Sequence, residues 1–156
     1  MPLISLMILL STSCWAQDEF GTWKMNPARS KFIVGPHPRA ATVRIEPNGK
    51  GEIFTYDRIT SDGQAVTIST ILYLDGKERN GQPPVCSGGS GTQSSRRLDE
   101  RTVEFTTKCA NGLWGHFLHR LLPDAHDLIF DMTEGEPNGL RIQRQLILEK
   151  QALERR

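Results

Sequence analysis

The most constraining feature of this sequence is a series of turn signals at nearly even intervals along most of the chain. The signals are Asn48-Gly49, Asp62-Gly63, Asp75-Gly76, Asp99-Glu100, Asn111-Gly112, Asp124-Ala125 and Asn138-Gly139. Asn-Gly and Asp-Gly favour tight β-hairpins because both central residues of a type I′ turn adopt positive φ. Regularly spaced hairpin signals are typical of an antiparallel meander, so the predicted fold class is all-β.

Apolar and polar residues alternate between these turns, as they do in strands that are buried on one face. Val43 and Ile45 share a face in one segment, and Val103 and Phe105 share a face in another. The predicted strands, eight or nine in number, lie near residues 20–26, 40–47, 51–60, 65–74, 92–98, 101–109, 113–122, 127–134 and 140–149. Closure removes the exposed edges of such a long sheet, so we expect an antiparallel up-and-down meander barrel of about eight strands.

Two segments interrupt this regular pattern. Residues 26–39 carry Pro27, Pro36 and Pro38, which remove backbone donors and fix φ. We expect this segment to cross one end of the barrel, anchored by Phe32 and Ile33. Residues 77–93 are rich in Gly, Ser and Pro and predict a loop.

The beginning of the chain has the pattern of an export signal. A short apolar run from Leu3 to Leu10 precedes small residues and then Cys14-Trp15-Ala16. The run is too short to span a bilayer, and Ala16 suits the last position before a cleavage site. We predict a signal peptide at residues 1–16, a barrel domain at residues 17–156 and an exported protein, periplasmic or secreted. Two alternatives stay open: a lipoprotein signal with Cys14 as lipid acceptor, and a buried N-terminal strand or helix.

Removal of residues 1–16 leaves two cysteines, Cys86 and Cys109. Two cysteines in an exported protein most often form a disulfide. Closing the stretch between them would constrain the unfolded chain by about 3 kcal/mol. We therefore predict a Cys86–Cys109 disulfide, with two unrelated free thiols as the alternative.

Length and composition limit the range of partners. A chain of 156 residues corresponds to one domain, and 24% charged with 37% hydrophobic residues suits a globular chain with one modest core. The net charge is +1 and the pI is about 7.8, which argues against a dedicated nucleic-acid binder. We predict no nucleic-acid partner and no membrane span, and the oligomeric state stays open.

The first predicted strand carries Gly21-Thr22-Trp23, and this motif resembles the lipocalin and wider calycin signature. In those families the Trp closes one end of the barrel, and an Arg from near the last strand packs across its ring. The resemblance implies a lipocalin-like barrel in which Gly21, Trp23 and Arg144 have the barrel-closing role. Arg144 fits because it is the lone charge on the apolar face of the last predicted strand, and Arg141 is the less favoured candidate. The segments Gly-Thr-Trp-Lys and Ser-Lys-Phe are also similar to those that open a group of exported bacterial proteins without an established activity.

The residues that carry chemistry do not indicate catalysis. The sequence has no Gly-x-Ser-x-Gly motif, no phosphate loop and no dinucleotide fingerprint. We predict a protein that is not an enzyme, with no catalytic residues, cofactor or metal. His116 and His119 are three apart in a predicted strand and so point to opposite faces. A metal site that combines His116 with Cys109 or His126 stays open as an alternative.

The sequence supports two functions. The preferred one is binding of a small apolar molecule in the lumen, because an eight-stranded barrel can hold one small ligand. Its predicted ligand-binding residues are the strand aromatics Tyr56, Phe105, Phe117 and Phe130. The alternative is a filled barrel that acts as a structural or protein-interaction module with no ligand. The size of the lumen distinguishes the two, and the sequence alone does not decide it.

Overall fold

The structure is a computed structural model that describes residues 18–87 and 89–152. Within these residues, eleven strands belong to one sheet, and a single-turn 3₁₀ helix spans Pro84–Cys86. The strands are β1 (Gly21–Met25), β2 (Lys31–Val34), β3 (Ala40–Asn48), β4 (Gly51–Ile59), β5 (Ala65–Leu72), β6 (Arg79–Gly81), β7 (Gly91–Asp99), β8 (Thr102–Cys109), β9 (Trp114–Leu121), β10 (Asp127–Gly135) and β11 (Arg141–Lys150). The predicted signal peptide, residues 1–16 with Cys14, lies outside the described residues.

The sheet is an antiparallel up-and-down meander, which confirms the predicted fold class. Its strand order is β5-β4-β3-β1-β11-β10-β9-β8-β7-β6, and β2 also pairs with β11. Nearly every strand therefore lies beside its neighbour in sequence, and the pairing of β1 with β11 joins the beginning of the meander to its end.

The turn signals lie where the sequence places them, between consecutive strands. Gly49 follows β3 with φ +59°, and Gly112 follows β8 with φ +86°. Positive φ is costly for residues with a Cβ, so glycine at these positions permits the tight reversals. The spacing of the hairpins therefore follows directly from local turn chemistry.

The strand count is higher than predicted because two short strands lie in the segments expected to be irregular. β2 lies in the proline-containing segment and pairs with β11, where Phe32 is opposite Arg144. Phe32 packs against the core as expected, but Ile33 is 58% exposed and does not anchor the segment. β6 lies in the Gly/Ser/Pro-rich segment and pairs with β7. Both strands have four residues or fewer, and such short runs show no clear alternation in a sequence.

β5 and β7 approach each other at a seam where side chains supply much of the hydrogen bonding. Gln93 Nε2 donates to Thr70 Oγ1 at 2.8 Å. The Leu74 amide donates to Ser95 Oγ at 3.0 Å, and the Gly76 amide donates to the Ser95 carbonyl at 2.8 Å. Among the described residues, these strands share no ladder of the kind that joins other neighbours. The seam therefore closes the curled sheet less tightly than a continuous ladder would.

Inward-facing side chains from most strands form one core. The buried apolar residues are Trp23, Met25, Ala41, Val43, Ile45, Phe54, Tyr56, Leu72, Val103, Phe105, Phe117, Leu121, Leu128, Phe130, Met132, Leu146 and Leu148. Trp23 pairs with Val43 and Lys150 at one end of the barrel, here called the Trp23 end. Trp114 pairs with Gly135 at the other end, here called the Trp114 end. β11 runs from the Trp114 end to the Trp23 end.

A disulfide joins Cys86 to Cys109, with their Cα atoms 5.3 Å apart. This confirms the predicted pairing and ties the 3₁₀ helix to the end of β8. A glycine at position 91 leaves space for it, because a Cβ there would lie 2.8 Å from Cys86 Sγ. In the part of the chain that the structure describes, no helix has the length and apolar character needed to cross a membrane.

Candidate functional site

The four predicted ligand-binding residues come together in the middle of the barrel. Phe105 and Phe117 stack with ring centroids 4.8 Å apart, and Tyr56 meets Phe130 edge-on at 5.6 Å. Phe54 joins the same cluster at 5.0 Å from Phe130. The prediction did not include Phe54 among the ligand-binding residues, although its position two residues before Tyr56 places it on the same strand face.

These aromatic residues line a small internal space, here called the lumen cavity, of about 30 Å³. Its lining consists of Phe54, Tyr56, Arg58, Ile68, Thr70, Pro84, Val85, Gln93, Phe105, Thr107, Phe117, Phe130, Met132 and Glu134. All four predicted residues are in this set. A space of this size holds about one water molecule, whose share of liquid volume is about 30 Å³. In this conformation the core of the barrel is nearly filled.

A short segment outside the strands covers the lumen cavity at the Trp114 end. This segment, residues 83–86, is here called the plug. Pro84 and Val85 contribute to the wall of the lumen cavity, and Cys86 is 1% exposed. The Cys86–Cys109 disulfide holds the plug against β8. Access to the lumen cavity from this side therefore depends on the position of Val85.

A second and larger space, here called the mouth recess, lies beyond the plug at the Trp114 end. Its volume is about 160 Å³, and its lining consists of Val85, Cys109, Leu113, Trp114, Gly115, Glu134, Gly135, Glu136, Leu140 and Ile142. Two glycines leave room for aromatic rings here. A Cβ at Gly115 would lie 2.4 Å from the Phe117 ring, and one at Gly135 would lie 2.2 Å from the Trp114 ring. Larger residues at either position would displace the ring.

Polar side chains lie inside the Trp114 end, next to the aromatic cluster. Arg144 is 5% exposed, and its Nε donates to the Pro36 carbonyl at 2.9 Å. Arg144 Nη1 lies 3.8 Å from Glu134 Oε2, which is an ion pair but too long for a hydrogen bond. Arg58 Cζ lies 5.7 Å from the Tyr56 ring centroid. This end of the lumen is therefore polar and positively charged as well as aromatic.

Arg144 does not have the predicted contact with Trp23, and that part of the barrel-closing prediction is wrong. Lys150 Nζ lies over the Trp23 ring at 5.2 Å, within the range of a cation–π interaction. Arg144 precedes Lys150 by six residues on β11, a separation of about 20 Å along a strand. The face of Arg144 was predicted correctly, but its position along the barrel places it at the opposite end from Trp23.

The Trp23 end is covered by the segment just before β1. Trp23 is fully buried, and its Nε1 donates to the Glu19 carbonyl at 2.9 Å. Glu19 also accepts a hydrogen bond from Arg97 Nη2 at 2.8 Å. Gly21 has φ +129°, and a Cβ there would lie 3.7 Å from the Lys150 side chain. Gly21 and Trp23 thus lie together at this end, with Lys150 as the nearby cation.

A buried polar pair, which the sequence did not reveal, lies deeper in the core. His119 Nε2 is 2.5 Å from Glu52 Oε1, and the two side chains are 1% and 0% exposed. Phe54 stacks on the His119 ring with a centroid distance of 5.7 Å. The alternating pattern of β9 places His119 inward, but only the register across several strands places Glu52 next to it.

The metal site considered from the sequence does not form. Cys109 is bonded to Cys86 and supplies no thiolate, and His116 Nε2 lies 2.9 Å from Glu104 Oε1 on the outer face. Within the described residues, no group of three or more His, Cys, Asp or Glu side chains is arranged to hold a metal ion.

Comparison with known proteins places this chain by fold. No family model and no curated protein matches the sequence. Among solved structures, zebrafish ileal bile acid-binding protein complexed with cholic acid is similar, with a TM-score of 0.50, 14% identity, and coverage of 86% of this chain and 99% of that chain. A redesigned beta barrel is similar, with a TM-score of 0.52, 14% identity, and coverage of 91% and 100%. At this level of identity the likenesses show the fold alone, which is an all-β up-and-down barrel.

Proposed function

We propose that this protein binds a small apolar molecule in the lumen of its barrel and that it does so outside the cytoplasm. The proposed binding residues are Tyr56, Phe105, Phe117 and Phe130, with Phe54 added from the structure. The proposed function is binding and not catalysis, because the inner surface of the barrel is mainly apolar. Small-molecule sites are typically apolar with a few well-placed polar groups, and the lumen has this character.

The observation that carries the proposal is that two cavities meet at the plug. The lumen cavity and the mouth recess share Val85 and Glu134 in their walls. Val85 lies on the plug and not in a strand, so its displacement leaves the sheet hydrogen bonds in place. An engineered apolar cavity of about 150 Å³ binds benzene. The lumen cavity and the mouth recess together would therefore suit a molecule whose apolar part is about the size of benzene.

The comparison by fold supports this proposal. Ileal bile acid-binding protein, whose barrel is similar to this one, was solved as a complex with cholic acid. A barrel with this topology is thus compatible with binding of a small molecule. The cavities of this chain favour a smaller ligand than its neighbour holds.

Export is the second part of the proposal, and the disulfide supports it. Disulfides persist in oxidising compartments such as the periplasm and the cell exterior. We propose that residues 1–16 are removed as a signal peptide and that residues 17–156 form the mature barrel. N-terminal sequencing of the protein from a periplasmic fraction tests this, with a start at Gln17 expected. A start at Cys14 with an attached lipid would instead support the lipoprotein alternative.

A second candidate function is a structural or interaction module, and the small size of the lumen cavity favours it. A volume of about 30 Å³ accommodates no organic ligand unless the plug moves. If the plug is fixed, the barrel is filled and acts through its outer surface. The two candidates therefore differ in whether Val85 can be displaced.

The test compares the full protein with Val85→Ala and, as a matched control, Val34→Ala on the exposed face of β2. We expect Val85→Ala to bind toluene about fivefold more tightly than wild type, close to 1 kcal/mol, because the truncation joins the two cavities. Titration calorimetry measures the affinity. Native mass spectrometry of protein prepared without detergent looks for a bound molecule that denaturation releases. If wild type and both variants bind no toluene and carry no extra mass, lumen binding is wrong and the filled barrel is favoured.

A further inference from the structure

Four polar side chains form a cluster inside the Trp114 end that the apolar ligand proposed above does not explain. They are Tyr56, Arg58, Glu134 and Arg144, here called the inner charge cluster. Tyr56 and Arg144 are 3% and 5% exposed, and Tyr56, Arg58 and Glu134 line the lumen cavity. Two guanidinium groups face one carboxylate, so the cluster carries a net positive charge inside the barrel.

Among the described residues, three donor atoms of this cluster lie beyond hydrogen-bond distance of any partner, although the Arg58 guanidinium is near enough to the Tyr56 hydroxyl to oppose part of the rise in its pKa. The three atoms are Tyr56 Oη, Arg58 Nε and Arg144 Nη1, and each of these atoms is buried. Buried donors without partners are destabilising, more so when the group is charged. Three such donors on neighbouring side chains indicate a binding site in which a ligand supplies the missing hydrogen-bond acceptors.

Glu134 compensates the cluster only in part. Its carboxylate lies 3.8 Å from Arg144 Nη1, beyond hydrogen-bond distance. Burial lowers the pKa of Arg144 in spite of the opposing effects of Glu134 and Tyr56, and the charge of Arg58 lowers it further. Burial also raises the pKa of the Tyr56 phenol. At neutral pH the Tyr56 hydroxyl is therefore protonated and available to donate.

We propose that the inner charge cluster binds the carboxylate of a small apolar monocarboxylic acid, a ligand class that rests on the lumen binding proposed above. The carboxylate accepts hydrogen bonds from Tyr56, Arg58 and Arg144, and its single charge neutralises the excess positive charge. A dianion next to Glu134 would give the cluster an excess of negative charge. The apolar body of the acid extends past Val85 into the mouth recess, whose volume of about 160 Å³ suits a single aromatic ring.

A water molecule in the lumen cavity is the simplest alternative occupant. The cavity is large enough for one water, which would satisfy one or two of the unpartnered donors. A water molecule does not neutralise the guanidinium charge, whereas a carboxylate both accepts hydrogen bonds and supplies the counter-charge. A site for a carboxylate should prefer anions to neutral molecules of the same shape, whereas a site that holds only water should show no such preference.

The experiment compares benzoate with benzyl alcohol, which has the same ring and a neutral polar group. Titrations use the full, disulfide-bonded protein at neutral pH in a buffer without carboxylates or phosphate. We expect benzoate to bind about tenfold more tightly than benzyl alcohol, which corresponds to about 1.4 kcal/mol. The affinity for benzoate should fall as salt is added, while that for benzyl alcohol should not.

Two substitutions of tyrosine provide the matched comparison. Tyr56→Phe keeps the ring and removes only the hydroxyl, and Tyr73→Phe makes the same change at an exposed position. We expect Tyr56→Phe to weaken benzoate binding about fivefold and to leave benzyl alcohol unchanged, while Tyr73→Phe changes neither. Glu134→Gln should strengthen benzoate binding, because it removes the competing negative charge.

The outcomes separate this inference from the proposed function. Equal affinity for benzoate and benzyl alcohol would overturn the carboxylate site and leave lumen binding standing. The same conclusion would follow if Tyr56→Phe and Tyr73→Phe had equal effects on benzoate. If neither compound binds but toluene does, the carboxylate site fails and lumen binding stands. If toluene also fails to bind to wild type and to Val85→Ala, lumen binding fails and the carboxylate site fails with it.

Discussion

The closest polar contact in the core, that between His119 and Glu52, shows what a single residue contributes to this barrel. The pair is fully buried, and within residues 18–87 and 89–152 each side chain has one atom without a partner, His119 Nδ1 and Glu52 Oε2. Each residue therefore depends on the other for its one hydrogen bond. Loss of either partner leaves the other with no hydrogen-bond partner in an apolar environment.

We expect Glu52→Leu to lower the free energy of unfolding by about 3 kcal/mol, because it leaves His119 unpartnered in the core. His119→Phe should lower the free energy of unfolding by a similar amount, because it leaves Glu52 without a hydrogen-bond partner. The double variant should be more stable than either single variant, since it replaces both polar groups with apolar ones and lets the introduced phenyl ring stack on Phe54. Urea denaturation measures all four proteins. A double variant less stable than both single variants would contradict this prediction, because it would show that the two costs add and that an unpaired partner is not their cause.

Hydrogen bonds on the outer face join three neighbouring strands through Glu104 on β8. Glu104 Oε2 accepts from Arg96 Nε of β7 at 2.6 Å, and Glu104 Oε1 lies 2.9 Å from His116 Nε2 of β9. The hydrogen bonds from His116 and Arg96 hold the pKa of the Glu104 carboxyl below its ordinary value of 4.5. Folding therefore favours the ionised form of Glu104.

The lowered pKa of Glu104 predicts how stability depends on pH. Because the pKa of Glu104 is lower in the folded than in the unfolded chain, its contribution is fully present above pH 4.5 and is lost as the pH falls through the folded value. We expect wild type to lose more stability than Glu104→Gln when the pH is lowered from about 5 to about 3, a range chosen around that pKa. Thermal denaturation across this range measures the difference. Glu46→Gln, on an exposed part of β3, is the control, and an equal pH dependence in all three proteins would contradict the prediction.

The seam between β5 and β7 concerns the molecule as a whole, because it determines how firmly the barrel is closed. Ser95 is 5% exposed and accepts two hydrogen bonds at the seam. Its hydroxyl accepts from the Leu74 amide, and its carbonyl accepts from the Gly76 amide. Neighbouring strands elsewhere in the sheet share ladders of up to nine residue pairs, as β10 and β11 do. The seam is therefore the weakest lateral contact along the described part of the sheet.

We expect Ser95→Ala to lower the free energy of unfolding by about 1–2 kcal/mol, since it leaves the Leu74 amide without its acceptor. The matched control is Ser94→Ala, whose hydroxyl bonds to Thr106 on the outer face. Hydrogen exchange should become faster at Leu74 and Gly76 in Ser95→Ala and stay unchanged at the ladder between β10 and β11. Faster exchange throughout the sheet would instead indicate that the seam opens only with global unfolding.

Sequence reasoning predicted the features of this fold that depend on local chemistry. The turn signals and the alternation of residues gave the meander, and the inward face of Arg144 followed from its apolar neighbours at Leu146 and Leu148. It did not predict contacts that depend on register around the curled sheet. The proximity of Glu52 and His119, which are 67 residues apart, is of this kind, and so is the position of Lys150 at Trp23. Alternation fixes the face on which a residue lies, but not which residues on other strands lie next to it.

The candidate site was predictable to the same extent. Four of the five aromatic residues that line the lumen cavity were predicted, because each lies on an inward strand face, and Phe54 was not. The plug was not found, because a segment with two prolines and no alternation gives no indication of where it packs. Its position comes from the Cys86–Cys109 bond, whose pairing was predicted but whose consequence for the lumen depends on the folded structure.

The attachment of the plug affects how fast a molecule could enter or leave the barrel. Because Cys86 is fixed to β8, a displacement of Val85 would involve the few residues before it and would leave the strands paired. Loop motions of this size occur on timescales of nanoseconds to microseconds. If the lumen binds a small molecule as proposed, the disulfide would limit how far the plug can be displaced, so the bond would set an upper limit on the size of the molecules that can pass.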